Sequence, residues 1–493
     1  MRVVAPALCA VLALALVPCR PCAEPAEPQL QWAPEVNALL QTCRDAALYS
    51  IAGHAWLVTA AADGAALWRL DNGKAHAVTT PDGKPVTGRA IAPCFDFGSA
   101  LVAVSDTPDG PRRLLQLQAD GAVILRDSEG RPAVIEAGAE IRDSRYGRHS
   151  VVSILKPETP ARHFVAREGV LAPVLGTDGK PLLGDNLYWR AAPDGALYVS
   201  TAADDDPCAY RLVGNAVIRN PEPPRPQALK DTRLVITRLP VPGATLVAAM
   251  EQLTAATHLW LAKDGTAVPV QTADGPLPAF DDYYLLEVGG VPCIACGTAG
   301  EQPRLALYVF EDGKARLLGD ADVAAHWVKN AGIGLPPALA VEDRRRNQTW
   351  YVPESGKLVP VRLTAGEVFR PSPRAAFVWP AETGCCFDLM DPGATLARLE
   401  GSRLHWLKFG TAPVRSSAPL TVCGKDLFLV AAAQDGKGKV LCRVGPGGAV
   451  VAVDGPENLA RSAAIQIAAG RGALWVLTLA ETARWQAGYR NIG

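Results

Sequence analysis

The stretch Ala55-Trp56-Leu57-Val58-Thr59-Ala60-Ala61, AWLVTAA, decides how the rest of the chain is read. It is an apolar run of strand length, and it returns about every 46 residues until the chain nears its end. The copies read ALVAVSD from Ala100, SVVSILK from Ser150, ALYVSTA from Ala196, TLVAAME from Thr245 and PCIACGT from Pro292. They continue as PALAVED from Pro337, CCFDLMD from Cys385, LFLVAAA from Leu427 and ALWVLTL from Ala473. No aperiodic stretch of domain size separates them. A strand-rich unit of this length cannot bury its own faces and must stack on its neighbours.

Around each copy the same punctuation recurs. A hairpin tip follows at Gly73, Gly121, Gly169, Gly214, Gly265, Gly313, Gly356, Gly410 and Gly447. Several tips are Asn-Gly or Asp-Gly, the dipeptides that accept the positive φ of two-residue hairpins. Five residues before the tip stands a large aromatic at Trp68, Phe164, Trp260, Tyr308 and Tyr351, which reads as a repeated packing slot. A second turn then appears, PDGKP from Pro81, SEGRP from Ser128, TDGKP from Thr177 and ADGP from Ala273, where Pro ends strand pairing. A further strand, such as NLYWRAA from Asn186 or YYLLEV from Tyr283, leads into the next copy.

Four strands per repeat predict an all-β fold of propeller blades, eight to ten of them and ten by the repeat count. The propeller spans 46–493, with its first strands lining a central axis. The orphan strand Ala46–Ile51 is expected to complete the blade that holds Ala473–Leu479, so that the termini close the ring without a free edge. The Pro-rich NPEPPRP, Asn220 to Pro226, falls where other repeats carry their second turn and reads as an enlarged turn rather than a linker.

Composition narrows the function. The 493 residues carry 49 basic and 50 acidic side chains, evenly spread, and 49 % are hydrophobic. Such a balance offers no basic patch for nucleic acid. Residues 1–23 resemble an export signal, with Arg2, an apolar core from Val3 to Val17 and a small-residue site at Pro21-Cys22-Ala23. Periplasmic or extracellular placement is therefore expected, followed by an N-terminal segment over 24–45. Cys19 or Cys22 would carry a lipid if the signal were of the lipoprotein kind. No later stretch is long enough to span a bilayer.

Nine cysteines remain beyond that signal, at 43, 94, 208, 293, 296, 385, 386, 423 and 442. Export permits disulfides, but an odd count leaves at least one thiol unpaired. Cys293 and Cys296 lie at odd offset in one strand, on opposite faces, so they read as buried apolar residues rather than as a redox or zinc motif. The seven histidines stand singly, and Asp204-Asp205-Asp206 and Asp281-Asp282 lack a calcium-loop frame. Neither a nucleophile elbow nor a phosphate loop occurs, so no cofactor, metal or catalytic residue is assigned.

Trp68-Arg69-Leu70-Asp71-Asn72-Gly73-Lys74 is similar to the Leu-Asp-x-x-Thr-Gly-Lys hairpin of quinoprotein propellers. It covers one repeat and lacks both the Thr and the tryptophan that follows it in that family. The wider resemblance, over about 90 % of the chain, is to the β-propeller superfamily. It implies no substrate. In that superfamily the connections around one channel mouth hold the ligand. Asp143-Ser144-Arg145-Tyr146-Gly147-Arg148-His149 is the richest of the connections assigned to that mouth: Arg145, Tyr146, Arg148 and His149 could grip a carboxylate or sulfate, with Asp143 orienting one of the two arginines. The expected function is an exported, non-catalytic protein that binds a protein or glycan through one face of the ring. The alternatives are a quinoprotein-like oxidoreductase, a hydrolase or lyase with its site at the channel mouth, and a structural envelope component.

Overall fold

Strand alternation and tight Gly turns make each repeat a four-stranded antiparallel meander. Asn72, Asp264 and Asp312 adopt positive φ, at 48°, 50° and 49°, and each is followed by a glycine in the same region. Both central residues of these two-residue turns are thus left-handed, matching the twist of the flanking strands. At Gly73 the lack of a side chain also makes room for the Tyr489 ring, which a Cβ would meet at 2.9 Å.

The computed structural model describes residues 29–491, apart from 95–99, 147–148, 186, 193–194, 202–205, 207, 289–290, 299–300, 332–337, 372–375, 378–384, 388–395, 415–420, 425, 434, 446–447 and 480–483. Within Ala376–Phe377 and Cys385–Phe387 only the backbone is described. Ten four-stranded meanders can be traced through these residues. The first comprises Asp45–Ile51, His54–Ala60, Ala65–Asp71 and Lys74–Ala77. Neighbouring sheets share apolar clusters: Trp56 and Val58 of the first sheet pack with Val104 and Leu115 of the second. Leu246 and Leu261 of the fifth meet Ile294 and Tyr308 of the sixth, and Phe428 of the ninth meets Leu474 of the tenth. The expected slot aromatics are core residues. Trp260, Tyr308 and Tyr351 are buried, and Trp68 and Phe164 pack against clusters. The chain is a β-propeller.

Two expectations are corrected. Each sheet begins one strand earlier than the repeat signal implies: Ala46–Ile51 opens the first sheet by pairing with His54–Ala60. Strands of that type are innermost, since Leu48 N–H donates to Gln466 Oε1 (2.8 Å) and Ser50 Oγ to the Ala469 carbonyl (2.8 Å) of the tenth sheet's opening strand. The AWLVTAA-type strands are second, buried between neighbours and therefore the most apolar. The termini do share a sheet, but the strand that completes it is Gln31–Trp32, opposite Tyr489 and Gly488. Helix α1 (Pro34–Leu40) follows, burying Val36 and Leu40. Its Asn37 side chain takes both backbone groups of Ala487, at 3.1 and 2.6 Å.

A second repeated device joins the sheets at their outer edges. After six of the outer strands comes a buried aliphatic residue, Val78, Leu125, Val174, Val270, Val361 or Leu407, all at most 4 % exposed. In most repeats the next residue then bonds in parallel to the outer strand of the following sheet. Arg126 N–H donates to the Gly169 carbonyl (2.8 Å), and its own carbonyl accepts from Leu171 N–H (2.7 Å). Leu175 repeats both bonds with Asn215 and Val217, at 2.8 and 2.7 Å. Parallel pairs of the same kind are Gly319 with Gly356, Arg362 with Arg403 and Lys408 with Ala449.

Candidate functional site

The seam between the fourth and fifth sheets departs from this pattern. Asn220 stands where other repeats bury an aliphatic side chain, and Pro221 stands where they place the bridging residue. Proline has no N–H to donate, so the outer bridge cannot form. Instead the Pro221 carbonyl accepts from Arg238 Nη1 at 2.7 Å, and Arg238 Nε donates to Asp206 Oδ2 at 2.6 Å. Arg238 lies on the fifth sheet's inner strand, Leu234–Val241, and is 8 % exposed. Asp206 is held by the Cys208 N–H at 2.9 Å, and Cys208 Sγ faces the Arg238 carbonyl at 3.5 Å. The buried residues on the two sides fall into separate clusters, around Tyr198 and Cys208 on one and Val247 and Trp260 on the other. A cavity of about 230 Å³ lies between Pro221–Pro224 and the tip Lys263-Asp264-Gly265.

Toward the channel a second ion pair extends this cluster. Arg190 Nη2 of the fourth sheet meets Glu287 Oε2 of the sixth at 3.1 Å, passing the fifth. Two cations and two anions therefore balance around Cys208. Burial pushes its thiol up to about 12, with smaller opposing effects from Arg190, Asp206, Arg238 and Glu287. A thiol so raised is not a nucleophile at neutral pH. Cys94, Cys293 and Cys442 are likewise pushed to about 12, burial being the first cause. Cys293 and Cys296 point into different clusters on opposite faces of Val291–Thr298, as their spacing implies. The side chains of Cys385 and Cys386 lie outside the described residues, as do Asp204 and Asp205.

The sequence-derived ligand loop is placed differently from expectation. Asp143, Arg145 and Tyr146 belong to the inner strand Glu140–Tyr146, and His149 opens the next strand of the same sheet. Tyr146 pairs directly with His149, so the two strands are neighbours in one sheet rather than parts of two; Gly147 and Arg148 lie outside the described residues. Asp143 is 1 % exposed and accepts from Ser150 Oγ. Tyr146 packs against the cluster between the third and fourth sheets, and His149 Nε2 meets the Gly195 carbonyl at 2.9 Å. Arg145 is exposed.

Two exposed aromatics stand at the opposite, starting end of inner strands. Tyr188 of Leu187–Ala191 is 60 % exposed and Trp327 of Trp327–Asn330 is 51 %. Lys329 Nζ sits 5.7 Å from the Trp327 ring centre, and Tyr284 Oη donates to the His326 carbonyl at 3.1 Å. Both rings thus stand on innermost strands and are open to solvent. Sequence reading missed them because the four-strand phase was displaced by one.

No family model and no curated protein matches the chain. Among solved structures, a puromycin-hydrolysing peptidase of Mycobacterium tuberculosis is similar at 14 % identity over 69 % of this chain, with a TM-score of 0.28. The chain spans about half, 49 %, of that peptidase. Apo AztD of Citrobacter koseri is similar at 10 % identity over 79 % of this chain and 92 % of its own, with a TM-score of 0.27. The WD40 domain of SCAP from fission yeast is similar at 7 % identity over 94 % and 98 %, also at 0.27. Likeness at this level bears on neither ligand nor activity.

Proposed function

We propose that this is an exported binding or scaffold propeller that takes a protein or glycan partner at the channel mouth framed by the fourth, sixth and seventh sheets. The observation that carries it is the exposure of Tyr188 and Trp327 on inner strands. Large rings with a polar tip, left in water on a rigid scaffold, gain most by being covered by a partner. A neighbouring Lys329 adds a charged contact. Catalysis has less support here, because the buried thiols are held protonated and the charges of the seam pair with one another.

The test combines a pull-down with a glycan array, each run on the parent chain and on Tyr188→Ala with Trp327→Ala. Partners retained by the parent and lost by the double variant support the mouth. A second reading is a grip from the hairpin end, through Arg145, Tyr146, Arg148 and His149, with the buried Asp143 only supporting that strand from within. The exposed Arg145 favours it, and in that case Arg145→Ala is the variant that loses the partner.

A further inference from the structure

The missing bridge at the fourth seam leaves two backbone groups of the fifth sheet without the partners their counterparts have. In the third and fourth sheets the pairs are the Gly169 carbonyl with Leu171 N–H, and the Asn215 carbonyl with Val217 N–H. The equivalent groups of the fifth sheet are the Gly265 carbonyl and Ala267 N–H. Lys263 and Thr266 close the Asp264-Gly265 turn, so the next pair, Ala262 with Ala267, is the non-hydrogen-bonded kind. Its N–H and carbonyl point outward, away from the neighbouring strand. Thr266 and Val268 flank Ala267 on this edge and are exposed. The cavity between Gly265 and Pro221–Pro224 opens where the chain's own bridging residue would run.

We infer that this edge, with its adjoining cavity, is a docking slot for an extended peptide segment of a partner protein, taken as a short parallel strand. The inference does not rest on the mouth reading. The occupant's chemistry is read from the other seams, which seat the same two-residue unit of this chain. It is an aliphatic residue followed by one with a free N–H: Leu125-Arg126, Val174-Leu175, Val361-Arg362 and Leu407-Lys408. At about 230 Å³ the cavity lies below the roughly 300 Å³ at which small-molecule pockets begin. A short backbone stretch held by ladder bonds suits it better than a cofactor, and strand addition to an open edge is a general mode of peptide recognition. Pro221 keeps the slot open from within, because it lacks the donor that would fill it.

The test uses a labelled peptide of residues 357–363, Lys-Leu-Val-Pro-Val-Arg-Leu, titrated into the full chain by fluorescence anisotropy. Saturable binding is expected, weakened at least tenfold when the peptide's Arg is replaced by Pro. Ala267→Pro in the protein should weaken it likewise, since that position makes no bond to the neighbouring strand. Should Ala267→Pro disturb folding, hydrogen exchange of the parent chain decides: peptide should slow the Ala267 amide and leave the first sheet unchanged. No saturable binding, equal binding by the Pro peptide, or unaltered exchange at Ala267 would overturn the slot. So would concentration-dependent self-association abolished by Ala267→Pro, which would assign the edge to a second copy of the chain.

Discussion

The carbonyl of Pro221 and the guanidinium of Arg238 are joined at 2.7 Å, and this one contact stands where other seams carry a backbone bridge. Arg238 thereby holds the connection after the fourth sheet and the Asp206 carboxylate together, with side chains 9 % and 16 % exposed. Removing one member of a buried pair strands the other. Arg238→Ala is expected to lower unfolding stability by about 3 kcal/mol. Arg238→Met combined with Asp206→Asn should recover most of that loss, because Asn keeps the acceptor for Cys208 N–H without the charge. Denaturant melts of the three proteins check both statements.

Ring closure is tested at Gly470. A Cβ there would fall against the Ala55 amide and the His54 backbone, which cannot move aside as a flexible side chain could. Gly470→Ala should therefore force the first and tenth sheets apart at a cost of about 1–3 kcal/mol. Gly265→Ala adds no clash, since nothing lies within 4 Å of that site, and its cost comes from positive φ alone. A larger drop in melting temperature for Gly470→Ala than for Gly265→Ala is the expected outcome.

Stability should depend on pH through His163. Its Nδ1 accepts from Ser153 Oγ at 2.9 Å and its Nε2–H donates to the Gly184 carbonyl at 2.7 Å, so the neutral ring is satisfied. Burial lowers its pKa, outweighing the opposite pulls of the Gly184 bond and Asp185. The unfolded chain then binds the proton more readily than the folded one. This group's contribution is complete above the unfolded value near 6.5 and declines as pH falls below it. His163→Gln should flatten the slope of melting temperature between about pH 7 and pH 5 relative to the parent chain.

Much of the fold is legible in the sequence because its signals are local. Asn72-Gly73 and Asp264-Gly265 need positive φ, and Cys293 and Cys296 must face opposite ways in one strand. Which strand is innermost is not local: all four alternate, and only contacts such as Ser50 with Ala469 decide the order. The closing strand Gln31–Trp32 has two residues, too few to show any period. The polar seam is hidden for a related reason. Asp206 lies in a connection of the fourth sheet and Arg238 on a strand of the fifth, the two share no motif, and the one cue is Pro221 at a position that elsewhere holds Arg126, Leu175, Arg362 or Lys408. The loop at 143–149 drew notice for its side chains, yet backbone pairing draws Asp143 into the interior.

The central claim, a partner held at the aromatic mouth, is tested most directly by calorimetric affinity. The partner recovered by pull-down or array is titrated into the parent chain, Tyr188→Ala with Trp327→Ala, and Arg145→Ala. Loss of two central rings should weaken binding at least tenfold, about 1.4 kcal/mol or more, with melting temperature preserved and Arg145→Ala near parent affinity. Unchanged affinity in the double aromatic variant, or a loss confined to Arg145→Ala, would contradict the account.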